Sequence, residues 1–419
     1  MTKSLLITES ALKVGAALLG LLALGAVGGV ASHGWDQQLI CSAGALQASG
    51  LSPYVQATLT DLTGSALSIP YLPAWLPPLS VGCGWDSSFF QMTLLAALGV
   101  VLSRFRFSVS VWEQVVLLTA GFAGAAWNFR SGNFALFELL GVCLSLLILR
   151  FGGFHTLLAG GVLGLIASLK LLPFSYLGVP LLLWVLKHPE WGVSELPQKK
   201  TLLLRFLAGA LIGGTLPWIL SWGLWDSQFG EYWTLNWNAP RQDGVHAAWT
   251  EWNSDHNTPT PFLVLMDALP REWTLAIGRG RFVLTLALMG GVLIPMTRWL
   301  IRSKATLPVS IASLSMALFF LMPRIKPYSF IHLILPTLIV LDSVGSAKKS
   351  RELSGFWLFS SVLPILGLLS LPLWKGLTHP WLLRWALDNL QWISSGLACF
   401  FLLRTASARW GLQQDSTKA

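Results

Sequence analysis

The sequence predicts an all-α polytopic membrane protein, a single integral domain over residues 1–419 with about 12 transmembrane helices and short interfacial helices on its outer face. Three observations lead there. Hydrophobic residues make up 54% of the chain and charged residues 11%, whereas an ordinary soluble domain is roughly 25% charged. The mean hydropathy is +0.62. The apolar residues fall in continuous runs, not in the strict alternation of a transmembrane β-barrel. The same figures exclude disorder, a coiled coil and a disulfide-rich secreted module.

Apolar runs bounded by charges and turn residues predict helices near 11–31, 88–103, 107–126, 134–149, 154–169, 171–186, 201–223, 282–297, 305–322, 328–345, 354–373 and 390–404. The first run holds about 18 apolar residues, longer than the core of a signal peptide, and is expected to stay as an anchor. Small residues at Gly28-Gly29-Val30-Ala31-Ser32 would otherwise offer a cleavage site. Two long segments, 32–88 and 224–281, separate the runs.

Charge sets the orientation. Of the 28 Lys and Arg, 18 fall in segments that share a side with the N-terminus, among them Lys3, Arg104, Arg150, Lys199, Arg302, Lys349 and Arg409. Residues 32–88 contain Asp36, Asp61 and Asp86 but no Lys or Arg. Basic residues mark cytoplasmic loops, so both termini are expected inside and 32–88 outside. The net charge of +9 has the same explanation, and nucleic acid is not an expected partner.

The outer side collects the unusual residues. Trp35-Asp36-Gln37-Gln38 follows the first span, and Leu39, Ala43 and Leu46 recur at helical spacing up to Gly50-Leu51-Ser52-Pro53-Tyr54. This reads as an interfacial helix. Spacing alone favours Asp36 as its N-cap; the alternative is a general base at the water–lipid boundary. Asp86, in Trp85-Asp86-Ser87-Ser88, reads as a cap, and Asp61 as a solvated loop residue.

Arg130, Lys170, Arg324 and Lys326 are basic residues on the outer side. Singly, each suits a snorkelling anchor; together they suit the phosphate of a lipid-linked substrate. His332 lies four residues after Tyr328, on one helix face if the helix is α. Glu113 and Glu138 are carboxylates within spans, where such groups face the bundle interior. Glu138, five residues past Asn133, suits either a substrate contact or a pair with one of the basic residues. Seven Trp lie in 222–273, an aromatic belt or a platform for sugar rings. His246, His256, Asp243 and Asp255 lie nearby without metal-ligand spacing. Cys41 and Cys83 share the outer loop, where an oxidising compartment would permit a disulfide. Cys143 and Cys399 read as small apolar residues. No Walker A loop or nucleotide-binding GxGxxG is present.

The order of these elements resembles a family. It comprises an outer Asp36, the helix ending in Gly50 through Tyr54, and Ile69-Pro70-Tyr71-Leu72-Pro73 with Leu76-Pro77-Pro78-Leu79. Arg130-Ser131-Gly132-Asn133, Ala159-Gly160-Gly161-Val162 leading to Leu169-Lys170-Leu171-Leu172-Pro173, and Arg324-Ile325-Lys326-Pro327-Tyr328-Ser329 follow. Together they resemble glycosyltransferase family 87, the polyprenyl-phosphate-mannose-dependent α-mannosyltransferases of the membrane-embedded GT-C superfamily.

The resemblance implies a GT-C-type bundle in a bacterial inner membrane with an extracytoplasmic active site. It implies Asp36 as catalytic base. Arg324, Lys326, Lys170, Arg130 and His332 would hold the donor phosphate, and Tyr54, Asn133, Glu138 and Tyr328 would line the substrate. The expected partners are a polyprenyl-phosphate-linked sugar donor, a glycolipid or glycan acceptor and membrane lipid. No cofactor and no metal are expected. A non-enzymatic transporter or flippase of a lipid-linked sugar shares the spans and the basic cluster, but a transporter places its binding groups near the bilayer midplane.

Overall fold

The computed structural model describes residues 3–30, 34–55, 59, 61–62, 69–170, 173, 175–186, 196–234, 281–322, 325–344, 349–374 and 390–410. All of the regular structure among them is helical. The helices are α1 (Lys3–Val30), α2 (Trp35–Ala48), α3 (Leu76–Ser80), α4 (Ser87–Ser103), α5 (Val111–Ala120), α6 (Gly124–Ser131), α7 (Ala135–Leu149), α8 (His155–Leu169) and α9 (Ser175–Val185). They continue with α10 (Leu196–Leu224), α11 (Asp226–Trp233), α12 (Arg281–Arg302), α13 (Leu307–Leu321), α14 (Ile334–Ser343), α15 (Lys349–Trp357), α16 (Leu363–Trp374) and α17 (Leu390–Trp410).

Among the described residues, each apolar run of the sequence is helical, with three differences. The run expected over 107–126 breaks at Gly121–Ala123, where Phe122 and Ala123 take φ of 57° and 54°. The chain leaves α5 there and restarts as α6. The run expected over 328–345 begins as a 3-10 helix, Pro327–Leu333, before α14. The run expected over 354–373 is α15 and α16 joined by a π turn at Leu358–Val362.

Among the described residues, one helix, Thr201–Leu224, is by itself long and apolar enough to cross a membrane. Pro73–Gly84 with Ser87–Ser103 passes only as a pair bent by 107°. Seven further apolar helices are shorter, at 10–17 residues. Large apolar side chains are exposed on the outside of the bundle: Leu18, Leu21 and Leu22 on α1, Phe89, Met92 and Val100 on α4, Leu211, Ile212 and Ile219 on α10.

Two apolar clusters organise the fold. The larger fills the bundle between α1, α4 to α9 and α13 to α17, around Phe122, Leu136, Leu163, Phe330 and Trp357. The smaller lies at one end. There α2 contributes Leu39, Ile40, Ala43 and Leu46, and residues 69–79 contribute Ile69, Tyr71, Leu72, Trp75, Leu76 and Leu79. These pack on Phe134 and Leu169, next to the start of α7 and the end of α8. Cys41 and Cys83 form a disulfide that fastens α2 to the 3-10 turn after α3. Closing a loop over a sequence separation of 42 stabilises by about 4 kcal/mol in the chain-entropy account. Cys83→Ser should lower unfolding stability by close to that amount, read by denaturant titration of the purified protein with and without reductant.

Helices α8 and α10 approach backbone to backbone. A Cβ on Gly160 would collide with the Phe206 carbonyl, on Gly164 with Ala210, on Gly209 with Leu157 and on Gly213 with Gly161. Each helix thus carries a Gly-x-x-x-Gly face, and each face closes on the other. Since the obstructing atoms are carbonyl groups and not movable side chains, Gly160→Val should separate the pair. The expected cost is about 3 kcal/mol, measured by thermal unfolding in detergent. The pairing fixes the axis of α8, and so the position of Lys170 at its end.

Candidate active site

The site lies where the small end cluster covers the ends of α6, α7 and α8. Helix α6 ends in Gly132 with φ of 66°, a left-handed turn that glycine adopts without strain. A Cβ on Gly132 would meet the Gln37 Cβ at 2.9 Å and the Gly34 Cα at 3.1 Å. One on Gly34 would collide with the backbone of Ser131 and Gly132. Two glycines therefore let the first turn of α2 lie directly on the turn between α6 and α7.

That contact brings Asp36 to Asn133. Asp36 is not the N-cap favoured by spacing: Gly34 holds that position, and no side chain caps the helix. Instead the Asp36 Oδ2 accepts a 2.6 Å hydrogen bond from the Asn133 Nδ2. By contrast, Asp86 caps α4 as expected, accepting from the amides of Ser88 and Phe89.

Asn133 is 1% exposed and held on every side. Its backbone N–H donates to the Ser131 Oγ at 3.2 Å, its carbonyl accepts from the Gln91 Nε2 at 2.9 Å, and its Oδ1 accepts from the Ala135 N–H at 3.0 Å. The same Oδ1 accepts from the Lys170 Nζ at 2.8 Å. One amide thus joins the carboxylate of Asp36 to the ammonium of Lys170.

The chain continues inward. Lys170 pairs with the Glu138 Oε1 at 2.9 Å, and the Glu138 Oε2 lies 3.2 Å from the His332 Nε2. The Lys170 Nζ also sits over the Tyr328 ring, 4.8 Å from its centroid. An ammonium has three N–H groups. One of them bonds to Asn133, and Glu138 lies within ion-pair distance. Glu138 is almost fully buried and Lys170 partly so, with side-chain exposures of 1% and 24%. Of the two readings of Glu138, the pair with a basic residue is the one observed.

Electrostatics tie further groups to the cluster. Burial pushes the Asp36 carboxyl above the ordinary carboxylate range; the Asn133 hydrogen bond and the nearby Lys170 and Lys326 pull in the opposite direction without cancelling it. Tyr71, which was not among the expected site residues, feels Lys170, Asp36, Tyr328 and Glu138, and its phenol is pushed up mainly by burial. Its one sequence signal is its place in the proline-rich Ile69–Pro73 stretch. Tyr54 stands behind it: the Tyr54 hydroxyl donates to the Tyr71 carbonyl at 2.7 Å, and its ring packs edge-on to Tyr232 at 5.5 Å.

Of the expected residues, Asp36, Asn133, Glu138, Lys170, Tyr328, His332 and Lys326 converge. Tyr328 and His332 do so for a different reason than α-helical spacing, because residues 327–333 are 3-10 and positions four apart leave the common face. Both reach the Lys170–Glu138 pair from one segment, which Asn128 docks by donating to the Tyr328 carbonyl at 3.0 Å. Arg130 lies over the Trp127 ring at 5.0 Å, and among the described residues no hydrogen bond or ion pair joins it to the Asp36–His332 cluster. Glu113 belongs elsewhere, in a capping box with Ser110 and an ion pair with Lys13 at 3.0 Å. Arg324, Trp237, Trp249, Trp252, Trp273, His246, His256, Asp243 and Asp255 lie outside the described residues. Among the described residues, no group of three or more His, Cys, Asp or Glu is placed to hold a metal ion.

Chemically, the arrangement sets a carboxylate of raised proton affinity near a partly exposed cation. That combination suits removal of a proton from a hydroxyl next to a bound anion. No family model, curated protein or solved structure matches the chain.

Proposed function

We propose that this protein is a membrane-embedded inverting glycosyltransferase that moves a sugar from a polyprenyl-phosphate donor to an acceptor hydroxyl on the extracytoplasmic side. The sugar is mannose on the resemblance to glycosyltransferase family 87. The observation that carries the reading is the single Asn133 amide shared by Asp36 and Lys170. A base and a phosphate-binding cation at fixed separation are what transfer from a sugar phosphate needs.

The membrane assignment rests on the charge pattern of the sequence and on the exposed apolar faces of α1, α4 and α10. Asp36 accepts the proton of the acceptor hydroxyl as its oxygen bonds to the anomeric carbon. The bond from that carbon to the phosphate oxygen breaks, and its electron pair leaves with polyprenyl phosphate. Lys170 and Lys326 stabilise the charge that develops on that oxygen. Phosphate leaves without prior protonation, so one carboxylate suffices where an inverting glycosidase uses two. Attack from the opposite face turns a β-linked donor into an α-linked product.

The base must be ionised to act. Because burial raises the Asp36 pKa from 3.8, transfer should fall on acidification at a pH above the ordinary Asp value. An acid limb of the initial-rate profile at or below that value would count against Asp36. The direct test supplies labelled polyprenyl-phosphate mannose and candidate acceptors to membranes holding the protein. A new glycosidic product supports the reading. Passage of intact donor across sealed vesicles, with no product, favours the transporter.

A further inference from the structure

The chain from Asp36 does not stop at His332. With its Nε2 against Glu138, the opposite ring nitrogen, Nδ1, faces away from the carboxylate. His332 is 4% exposed, and this Nδ1 has no hydrogen-bond partner among the described residues. The ring lines a small cavity between α9, α13 and the 327–333 segment, whose other polar walls are Ser175, Tyr176 and Ser315 and whose apolar walls include Phe319 and Met322. The Ser315 Oγ is likewise buried and unpartnered. A buried acceptor and a buried hydroxyl left unsatisfied each cost about 1–3 kcal/mol. A cavity needs about 10–15 Å³ and two or more polar partners to hold one water; this one has about 10 Å³ and Ser175, Tyr176, Ser315 and His332 in its lining.

We propose that this cavity is a structural water site: one ordered water donates to His332 Nδ1 and bonds to Ser315 Oγ, fixing the imidazole as the neutral tautomer with its proton on Nε2. The carboxylate of Glu138 can only accept, so in the proposed neutral ring the single proton sits on Nε2. A neutral imidazole then presents an acceptor at Nδ1, and the cavity must supply a donor. The second nitrogen sets the tautomer of the first. The water, Ser315 and His332 are therefore positioning groups: they hold Glu138, which holds Lys170. They do not conduct the proton taken by Asp36, because the Asn133 amide stands in the chain and is not a proton carrier at neutral pH. The inference rests on the geometry around His332 and stands apart from the transferase reading.

The test is nitrogen NMR of the full-length protein in nanodiscs, with histidine labelled in the ring and the His332 signals assigned by their loss in His332→Gln. The wild type should show a protonated Nε2 and an unprotonated, hydrogen-bonded Nδ1. Ser315→Ala should shift the Nδ1 resonance, and Ser315→Thr, which keeps the hydroxyl, should restore it. A proton on Nδ1, or on both nitrogens, in the wild type would overturn the proposal. So would an Nδ1 resonance unchanged by Ser315→Ala. If the Ser315 variants fail to fold, the wild-type tautomer together with an experimental density map decides. Density for a water between Ser315 and His332 supports the site, and apolar filling of the cavity contradicts it. Neither readout uses sugar transfer, so failure here and failure of the proposed function are separately visible.

Discussion

Asp36→Asn should reduce sugar transfer by about 10²–10⁴-fold, the usual contribution of a positioned general base, while leaving the protein folded. The carbonyl oxygen of the new amide can still accept from the Asn133 Nδ2, so the 2.6 Å contact has a replacement. The carboxylate's proton affinity has none. Donor binding should change little, because the cations that would hold phosphate, Lys170 and Lys326, are untouched. The comparison requires matched amounts of protein in membranes and separate measurement of donor affinity and turnover. Loss confined to turnover fits a base; a parallel loss of donor affinity fits a residue that only shapes the pocket.

The second large effect concerns the ion pair behind the site. Lys170→Met removes the partner of a carboxylate that is 1% exposed. Breaking a buried pair by removing one partner costs about 3–5 kcal/mol; the His332 contact that Glu138 keeps offsets part of this, and the single variant should still unfold at lower denaturant concentration. Adding Glu138→Gln removes the stranded charge and should recover most of that stability. It should not recover transfer, because the Lys170 ammonium is gone. The double variant thus separates the structural role of the pair from its role toward phosphate. Recovered stability together with full transfer would remove Lys170 from the donor site.

Local features were legible in the sequence. The helix read from Leu39, Ala43 and Leu46 is α2, with all three residues buried and Gly50 at φ of 78° just after its end. The continuous apolar runs are the helices of the bundle. Breaks inside those runs were not legible. Phe122 and Ala123 occupy a left-handed conformation that their residue types disfavour; the Phe122 ring packs edge-on to Phe356, and the next residue, Gly124, lies against the Ile331 backbone. The misplaced cap has a similar origin. Asp is the commoner N-cap, but Gly34 is needed at that position because nothing larger fits against Gly132.

The site itself was legible as a set of residues and not as a connected chain. Asp36, Asn133, Glu138, Lys170 and His332 come from four separate elements and intervening turns, and no periodicity relates them. Their convergence depends on two close backbone approaches, Gly34 on Gly132 and α8 on α10. The glycines were visible, but their partners were not. Tyr71 has no spacing signal, because its burial beside Lys170 and Asp36 follows from tertiary packing.

The central claim is an inverting transfer at a base and a cation joined by one amide. Its most direct test is a single-turnover reaction of purified protein in liposomes with an anomerically pure β-linked polyprenyl-phosphate sugar, followed by analysis of the product linkage. The account expects an α-linked product and free polyprenyl phosphate in equal amounts, both lost in Asp36→Asn. A β-linked product would contradict it, as would donor that crosses the bilayer with its glycosidic bond intact.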